Sequence, residues 1–210
     1  MHSSYKHVAS FYDTMFPFFS HGAGPKLHKR VASLLRGHPG ATVVDAGCGT
    51  GLMLELIRDR VGESGRVIGV DAALPMLDRA RDRVAAAGWS NVELHCADMA
   101  SFQPDGPVDA VVFALSLSTD EPGKVLANTL SYLRPGASVI IADSIPASGA
   151  RYHRLVNRYA ALRAPLVGSD PARAREIARL AEQELRHVRT ELLSAGMYTI
   201  ISGQTPTETS

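Results

Sequence analysis

The chain has 210 residues, 45% hydrophobic, with 22 Lys+Arg against 21 Asp+Glu, 18 Gly, 12 Pro and 2 Cys. That length supports one good-sized core rather than two domains, and its balanced charge and mean hydropathy of −0.01 exclude disordered, collagen-like and coiled-coil chains. With no apolar run near the roughly eighteen residues of a membrane span and no signal-like pattern in MHSSYKHVAS, it reads as a cytoplasmic protein, its Cys48 and Cys96 reduced and no spacing suited to a metal.

Residues 1–40 carry six of the thirteen aromatic rings, Tyr5, Phe11, Tyr12, Phe16, Phe18 and Phe19, which points to a helical lid or apolar wall over a sheet. Ala41–Val44, apolar and β-branched after Gly37, Pro39 and Gly40, predicts a buried strand. A glycine-rich turn follows, then Leu52, Leu56 and Ile57 at helical spacing until Gly62 and Gly65 stop the pattern. The unit repeats: a strand over Arg66–Val70, a helix from Pro75 to about Ala87 ended by Gly88, and a third strand over Asn91–His95. Val108–Ala114 predicts a fourth strand, Glu121–Leu133 a helix, and Ser138–Ala142 a fifth strand after the turn Arg134-Pro135-Gly136. Strands alternating with helices imply parallel βαβ units, and strands that are apolar throughout imply helices on both faces.

Beyond Asp143 the pattern changes. Tyr152, Leu155, Val156, Tyr159 and Leu162 recur at helical spacing with Arg151, Arg154, Arg158 and Arg163 interleaved, and no acid stands between Asp143 and Asp170. This basic amphipathic helix reads two ways: its apolar stripe packs on the sheet, or it meets anionic headgroups together with the aromatic N-terminus. A second helix is predicted at about 172–187, then a β-hairpin from Val188–Leu193 and Met197–Ser202. The charge is uneven, +4 over residues 1–40, −6 over 41–144 and +3 over 145–210, so the flanks rather than the middle suit an anionic partner.

The loop VVDAGCGTG (43–51) places Gly47, Gly49 and Gly51 between a strand and a helix, where a ligand can approach the backbone. The dinucleotide fingerprint needs its third glycine at position 52, which is Leu52, and Asp45 ahead of the loop repels a pyrophosphate while suiting an ammonium and a sulfonium. Asp71, at the end of the second strand, can accept from both hydroxyls of a ribose. Asp98, after the third strand, stands where an adenine amino group could donate.

Taken together, VVDAGCGTG, GVDAALPML (69–77), HCADM (95–99) and LRPGASVIIAD (133–143) resemble, in order, the motifs of the class I S-adenosylmethionine-dependent methyltransferases. The resemblance covers roughly residues 41–143. It implies an α/β, Rossmann-like, doubly wound and mostly parallel seven-stranded sheet ending in an antiparallel β-hairpin. It divides a single domain of residues 1–210 into an N-terminal lid (1–40), a cofactor-binding core (41–143) and substrate-side helices with the hairpin (144–210). It assigns S-adenosyl-L-methionine to Tyr12, Asp45, Ala46, Gly47, Cys48, Gly49, Gly51, Asp71, Ala72, Met76, Ala97, Asp98, Met99 and Ala114. FYDTMFPFF and ALSLSTDEP are most similar to the quinone-ring and phospholipid-headgroup methyltransferases. The Asn/Asp-Pro-Pro-Tyr/Phe motif of many nucleic-acid and protein amine methyltransferases is missing, so a small-molecule or lipid acceptor is expected rather than nucleic acid, with peripheral membrane contact through the basic and aromatic flanks.

Methyl transfer is an in-line displacement that depends mainly on alignment, and a phenol or enol acceptor adds a need for a base. His21 and His153 are the candidate catalytic residues; His7 and Tyr152 also fall near the expected substrate mouth, and Asp143 is read as capping the turn after its strand. Two alternatives stay open: a protein that binds the sulfonium without moving the methyl group, as sensor or rearrangement catalyst, and an NAD-dependent oxidoreductase.

Overall fold

The computed structural model describes residues 22–35, 39–145, 153–163 and 170–207. Its helices and strands are α1 (Gly24–Leu34), β1 (Thr42–Ala46), α2 (Leu54–Val61), β2 (Arg66–Asp71), α3 (Leu74–Ala87), β3 (Val92–Cys96), β4 (Val108–Ala114), α4 (Pro122–Tyr132), β5 (Leu133–Asp143), α5 (His153–Arg163), α6 (Pro171–Glu184), β6 (Arg186–Leu193) and β7 (Tyr198–Gln204). The strands form one sheet in the order β3-β2-β1-β4-β5-β7-β6. The first five are parallel, while β7 runs antiparallel to both β5 and β6. This is the Rossmann-like sheet with a terminal hairpin that the resemblance implied.

Both faces are covered, as the continuous apolar strands require. Leu27, Val31 and Ala32 of α1, Leu54, Ile57 and Val61 of α2, and Leu77 and Ala80 of α3 pack with Val43, Val67, Val112 and Ile140 on one face. Val125 of α4 and Ala174, Ile177 and Ala181 of α6 pack with Val44, Ile68, Val111, Phe113 and Ile141 on the other. Alternation along β1 therefore sends Val43 and Asp45 to one face and Val44 and Ala46 to the other.

Local chemistry sets the helix ends. Gly88 adopts the left-handed conformation after α3 and its N–H caps the last turn on Ala85 and Val84. Asp170 caps α6 by accepting from Ala172 N–H. The C-terminal carbonyls of α1 are satisfied from outside: Arg60 of α2 donates to Ala32 O and Ser33 O, each at 2.8 Å.

Two expectations need correcting. The turn Arg134-Pro135-Gly136 is part of β5, because Val108 pairs with Leu133 across a bulge and Thr205 fastens the irregular stretch, donating to Arg134 O at 2.6 Å and accepting from Ala137 N–H at 2.9 Å. The two leucines of the α5 stripe are not covered by the sheet: Leu155 is 69% and Leu162 80% exposed. The helix meets the 3₁₀ turn Ser194–Gly196.

Candidate methyl-donor site at the crest of the sheet

The strand order reverses between β1 and β4: the chain leaves β1 toward β2 on one side, and β4 takes the other. In an open parallel sheet such a reversal opens a crevice at the carboxyl ends of the strands, where ligands bind. The glycine loop after β1 lies at that point. Gly47 N–H and Cys48 N–H both donate to Val70 O of β2, at 2.8 and 3.0 Å, which ties the loop to the neighbouring strand.

Each glycine has its own reason. Gly47 (φ +76°) lies against Ser116, so that any Cβ placed there would overlap the Ser116 Cβ; Gly51 (φ +82°) lets the loop pass Leu54 and Ala80, whose side chains a Cβ would crowd at 2.8 and 3.3 Å. Gly49 is the opposite case. Nothing stands within 4 Å of where its Cβ would be, which leaves open space beside the loop for a ligand.

Asp71, at the end of β2, is fixed from both sides. Its Oδ2 accepts from Gly49 N–H and its Oδ1 from Ala73 N–H, each at 2.8 Å. Burial raises its pKa, and those two amides oppose the rise. Each oxygen keeps a second lone pair, so it can still accept from a hydroxyl. Asp45 has no such support. It is 1% exposed, its Oδ2 has no hydrogen-bond partner, and burial first, with the Asp71 charge second, pushes it up to about 7. The Cys48 thiol is buried beside these acids and held protonated, chiefly by burial.

The other assigned positions among the described residues lie at, or within a few residues of, the carboxyl ends of β1–β4. Ala97 N–H donates to Asp71 O at 3.2 Å, joining the ends of β3 and β2, and the exposed Asp98 accepts from Ala100 N–H at 2.8 Å. The Met99 sulfur stands 3.4 Å from where a Cβ on Gly47 would be. Ala46 and Met76 are buried and Ala72 is exposed, so from the β2–α3 turn Ala72 is open to a ligand and Met76 lies beneath. Ala114 ends β4, and Leu115 beyond it takes a left-handed φ of +62° while its N–H still donates to Ala142 O at 2.7 Å. A non-glycine residue in that region is costly and concentrates at functional sites.

Sequence reasoning missed how the turn after β4 is held. Ser116 Oγ donates to Ala46 O at 2.6 Å. Ser118 donates to the buried carboxylate of Asp143 twice, through N–H at 2.9 Å and through Oγ–H at 2.8 Å, and Ser144 N–H adds a third bond at 2.7 Å. Asp143 is thus a clamp rather than a base. The signal was present, since Ser116, Ser118 and Asp143 stand in the motifs already quoted, but only strand pairing brings positions 25 residues apart into contact. Tyr12 and His21 lie outside the described residues, as does the side chain of His153 at the start of α5.

The donor set fits S-adenosylmethionine. An unpartnered buried carboxyl oxygen, a second carboxylate and open space at Gly49 suit a cationic nucleoside and oppose a pyrophosphate. Residues 43–136 match the family model described as a methyltransferase domain. A demethylmenaquinone methyltransferase of Listeria monocytogenes is 27% identical over 170 residues, 80% of this chain and 72% of that protein. An arsenite methyltransferase of Halobacterium salinarum is 35% identical over 109 residues, 51% of this chain and 28% of its own. The N-methyltransferase NodS of Bradyrhizobium japonicum, solved with S-adenosyl-L-homocysteine, superposes with a TM-score of 0.63 at 17% identity, covering 87% of each chain. Residues 43–136 thus form a methyltransferase domain, the sheet has the Rossmann-like fold of such proteins, and these likenesses support S-adenosylmethionine-dependent methyltransferase activity.

Proposed function

We propose that this methyltransferase acts on a small, lipophilic acceptor of the quinone-ring or lipid-headgroup kind, working at the surface of a membrane from the cytoplasmic side. The observation that carries the acceptor class is α5: Leu155 and Leu162 are exposed beside the exposed Arg154 and Arg158, on the helix that follows β5. Exposed leucines flanked by arginines suit the boundary of an anionic bilayer. The likeness to a demethylmenaquinone methyltransferase supports the same reading.

In this reading Asp71 receives the ribose hydroxyls, Asp98 the adenine amino group, Ala72, Met76, Ala97 and Met99 flank the adenine, and Asp45, Ala46, Gly47, Cys48, Gly49, Gly51 and Ala114 border the methionine portion, with Tyr12 packing over it. The cofactor supplies an electrophilic methyl group on a sulfonium. The protein's part is to hold the acceptor in line and exclude water, with His21 or His153 as proton acceptor where the acceptor is a phenol or enol. The lid, core and substrate-side segments of one domain divide these tasks.

Radiolabelled S-adenosylmethionine offered with a reduced naphthoquinone, phosphatidylethanolamine vesicles, catechol and arsenite tests the acceptor class. Label passing to the naphthoquinol or the lipid is expected. Transfer to arsenite or catechol alone overturns it.

A further inference from the structure

Among the described residues, Asp45 Oδ2 is the one buried side-chain oxygen or nitrogen without a hydrogen-bond partner. Among the described residues the cation that reaches the loop is Arg83 of α3, whose Nε donates to Thr50 O at 3.1 Å, while Asp78, Arg79, Arg81 and Asp82 of that helix are exposed; what shifts Asp45 is burial and Asp71. Asp71 of β2 adds a second carboxylate, and the Cys48 thiol stays protonated under the same burial and both acids. From α1, which packs on this face, the buried titratable group is His28, kept neutral by burial, while Lys26, Lys29 and Arg30 are exposed. From α2, Glu55, Asp59 and Arg60 are exposed and Arg58 bonds Asn91. On β4 the acid is Asp109, paired with Arg134.

A fully buried carboxyl that feels a second, half-buried one does not ionise without cost, and of the two the one lacking donors holds its charge least well. Asp71 receives N–H groups from Gly49 and Ala73, and Asp45 Oδ2 receives none. The proton therefore belongs on Asp45, in keeping with the rise of that group to about 7.

We propose that Asp45 binds the α-ammonium of S-adenosylmethionine by charge exchange: it is a neutral acid before binding and a carboxylate afterwards, its proton passing to solvent as the ammonium arrives. No methyl transfer is involved, and charge balances, because one positive charge leaves the pocket as another enters. The ion pair then supplies the partner that Oδ2 lacks. This rests on the methyltransferase reading above, and it adds that binding of the donor is coupled to release of a proton near neutral pH.

Titration calorimetry at pH 6.5 in phosphate, Pipes and imidazole, buffers of different ionisation enthalpy, counts released protons, and at that pH a free α-amino group, titrating at about 7.7–8.0, is charged. The probes are S-adenosylmethionine, S-adenosylhomocysteine, which keeps the ammonium but not the sulfonium, and 5′-methylthioadenosine, which has neither. The first two are expected to release most of one proton and the third none. Affinity for S-adenosylmethionine should fall about tenfold for each pH unit below about 7, and in Asp45→Asn that slope should vanish. Equal heats in all buffers, release by S-adenosylmethionine alone, or an unchanged slope in Asp45→Asn overturns the proposal. The wild-type calorimetry stands even if the variant does not fold. Failure of all three nucleosides to bind at any pH defeats the cofactor assignment instead.

Discussion

At the scale of single residues, the crest of the sheet is governed by which of its two acids, the buried Asp45 or the half-buried Asp71, receives N–H donors. Asp71 receives two and stays available to a ribose. Hydrogen bonds to a charged group contribute about 1.5–3 kcal/mol each, so Asp71→Ala should weaken S-adenosylmethionine binding by about a hundredfold or more in calorimetry, and unchanged affinity would rule out its ribose role. Asp45 and His28 have opposite effects on the pH dependence of stability in the absence of ligand. Asp45 rises from 3.8 to about 7 on folding, so its contribution is full below about 3.8 and is lost as pH climbs through 7. His28 falls from 6.5 to about 4, so its contribution is full above about 6.5 and is lost as pH falls toward 4. The two offset each other between about pH 4 and 6.5. Urea unfolding across pH should therefore show wild type losing stability relative to Asp45→Asn as pH rises from 4 to 8, by a few kcal/mol. A pH-independent difference would contradict the burial of that carboxyl.

At the scale of elements, the strained end of β4 is held between two neighbouring strands. Leu115 sits at φ +62° between Ser116, bonded to β1, and the β5 end, where Ala142 and Asp143 receive Leu115 and Ser118. Removing the Asp143 carboxyl takes away the acceptor of two bonds from the buried Ser118 and one from the half-buried Ser144, so Asp143→Ala should cost about 3 kcal/mol or more in chemical denaturation. The ion pair of Arg30 on α1 with Glu191 on β6 is bidentate but roughly 40% exposed on each side. Solvent screening limits it to under about 1 kcal/mol. Glu191→Gln should accordingly leave the midpoint nearly unchanged, and a loss as large as that of Asp143→Ala would show that the pair anchors α1. The predicted elements were most legible where glycine or proline marked an end, as at Gly62, Pro75 and Gly88. The Arg134–Gly136 stretch misled because Thr205, 71 residues from Arg134, completes its bonding.

At the scale of the whole molecule, an acidic middle of −6 lies between basic flanks of +4 and +3. No helix among the described residues is long and apolar enough to cross a membrane, and α5 exposes leucine and arginine together. Flotation with vesicles should show the protein on anionic rather than neutral lipid, with Leu155→Glu/Leu162→Glu reducing the bound fraction severalfold. Equal flotation on both lipids, or no effect of the double substitution, would remove α5 from membrane binding.

The sequence by itself determined the βαβ alternation, the strands buried on both faces and the glycine loop with its acids, because backbone propensity, glycine conformation and apolar periodicity act within a few residues. Tertiary structure alone decided that Asp143 serves Ser118 rather than a substrate, that Asp45 Oδ2 lacks a partner while Asp71 has two, and that the leucines of α5 face outward. Each depends on which strand or helix lies alongside, and burial and hydrogen bonding are properties of that neighbourhood rather than of the residue.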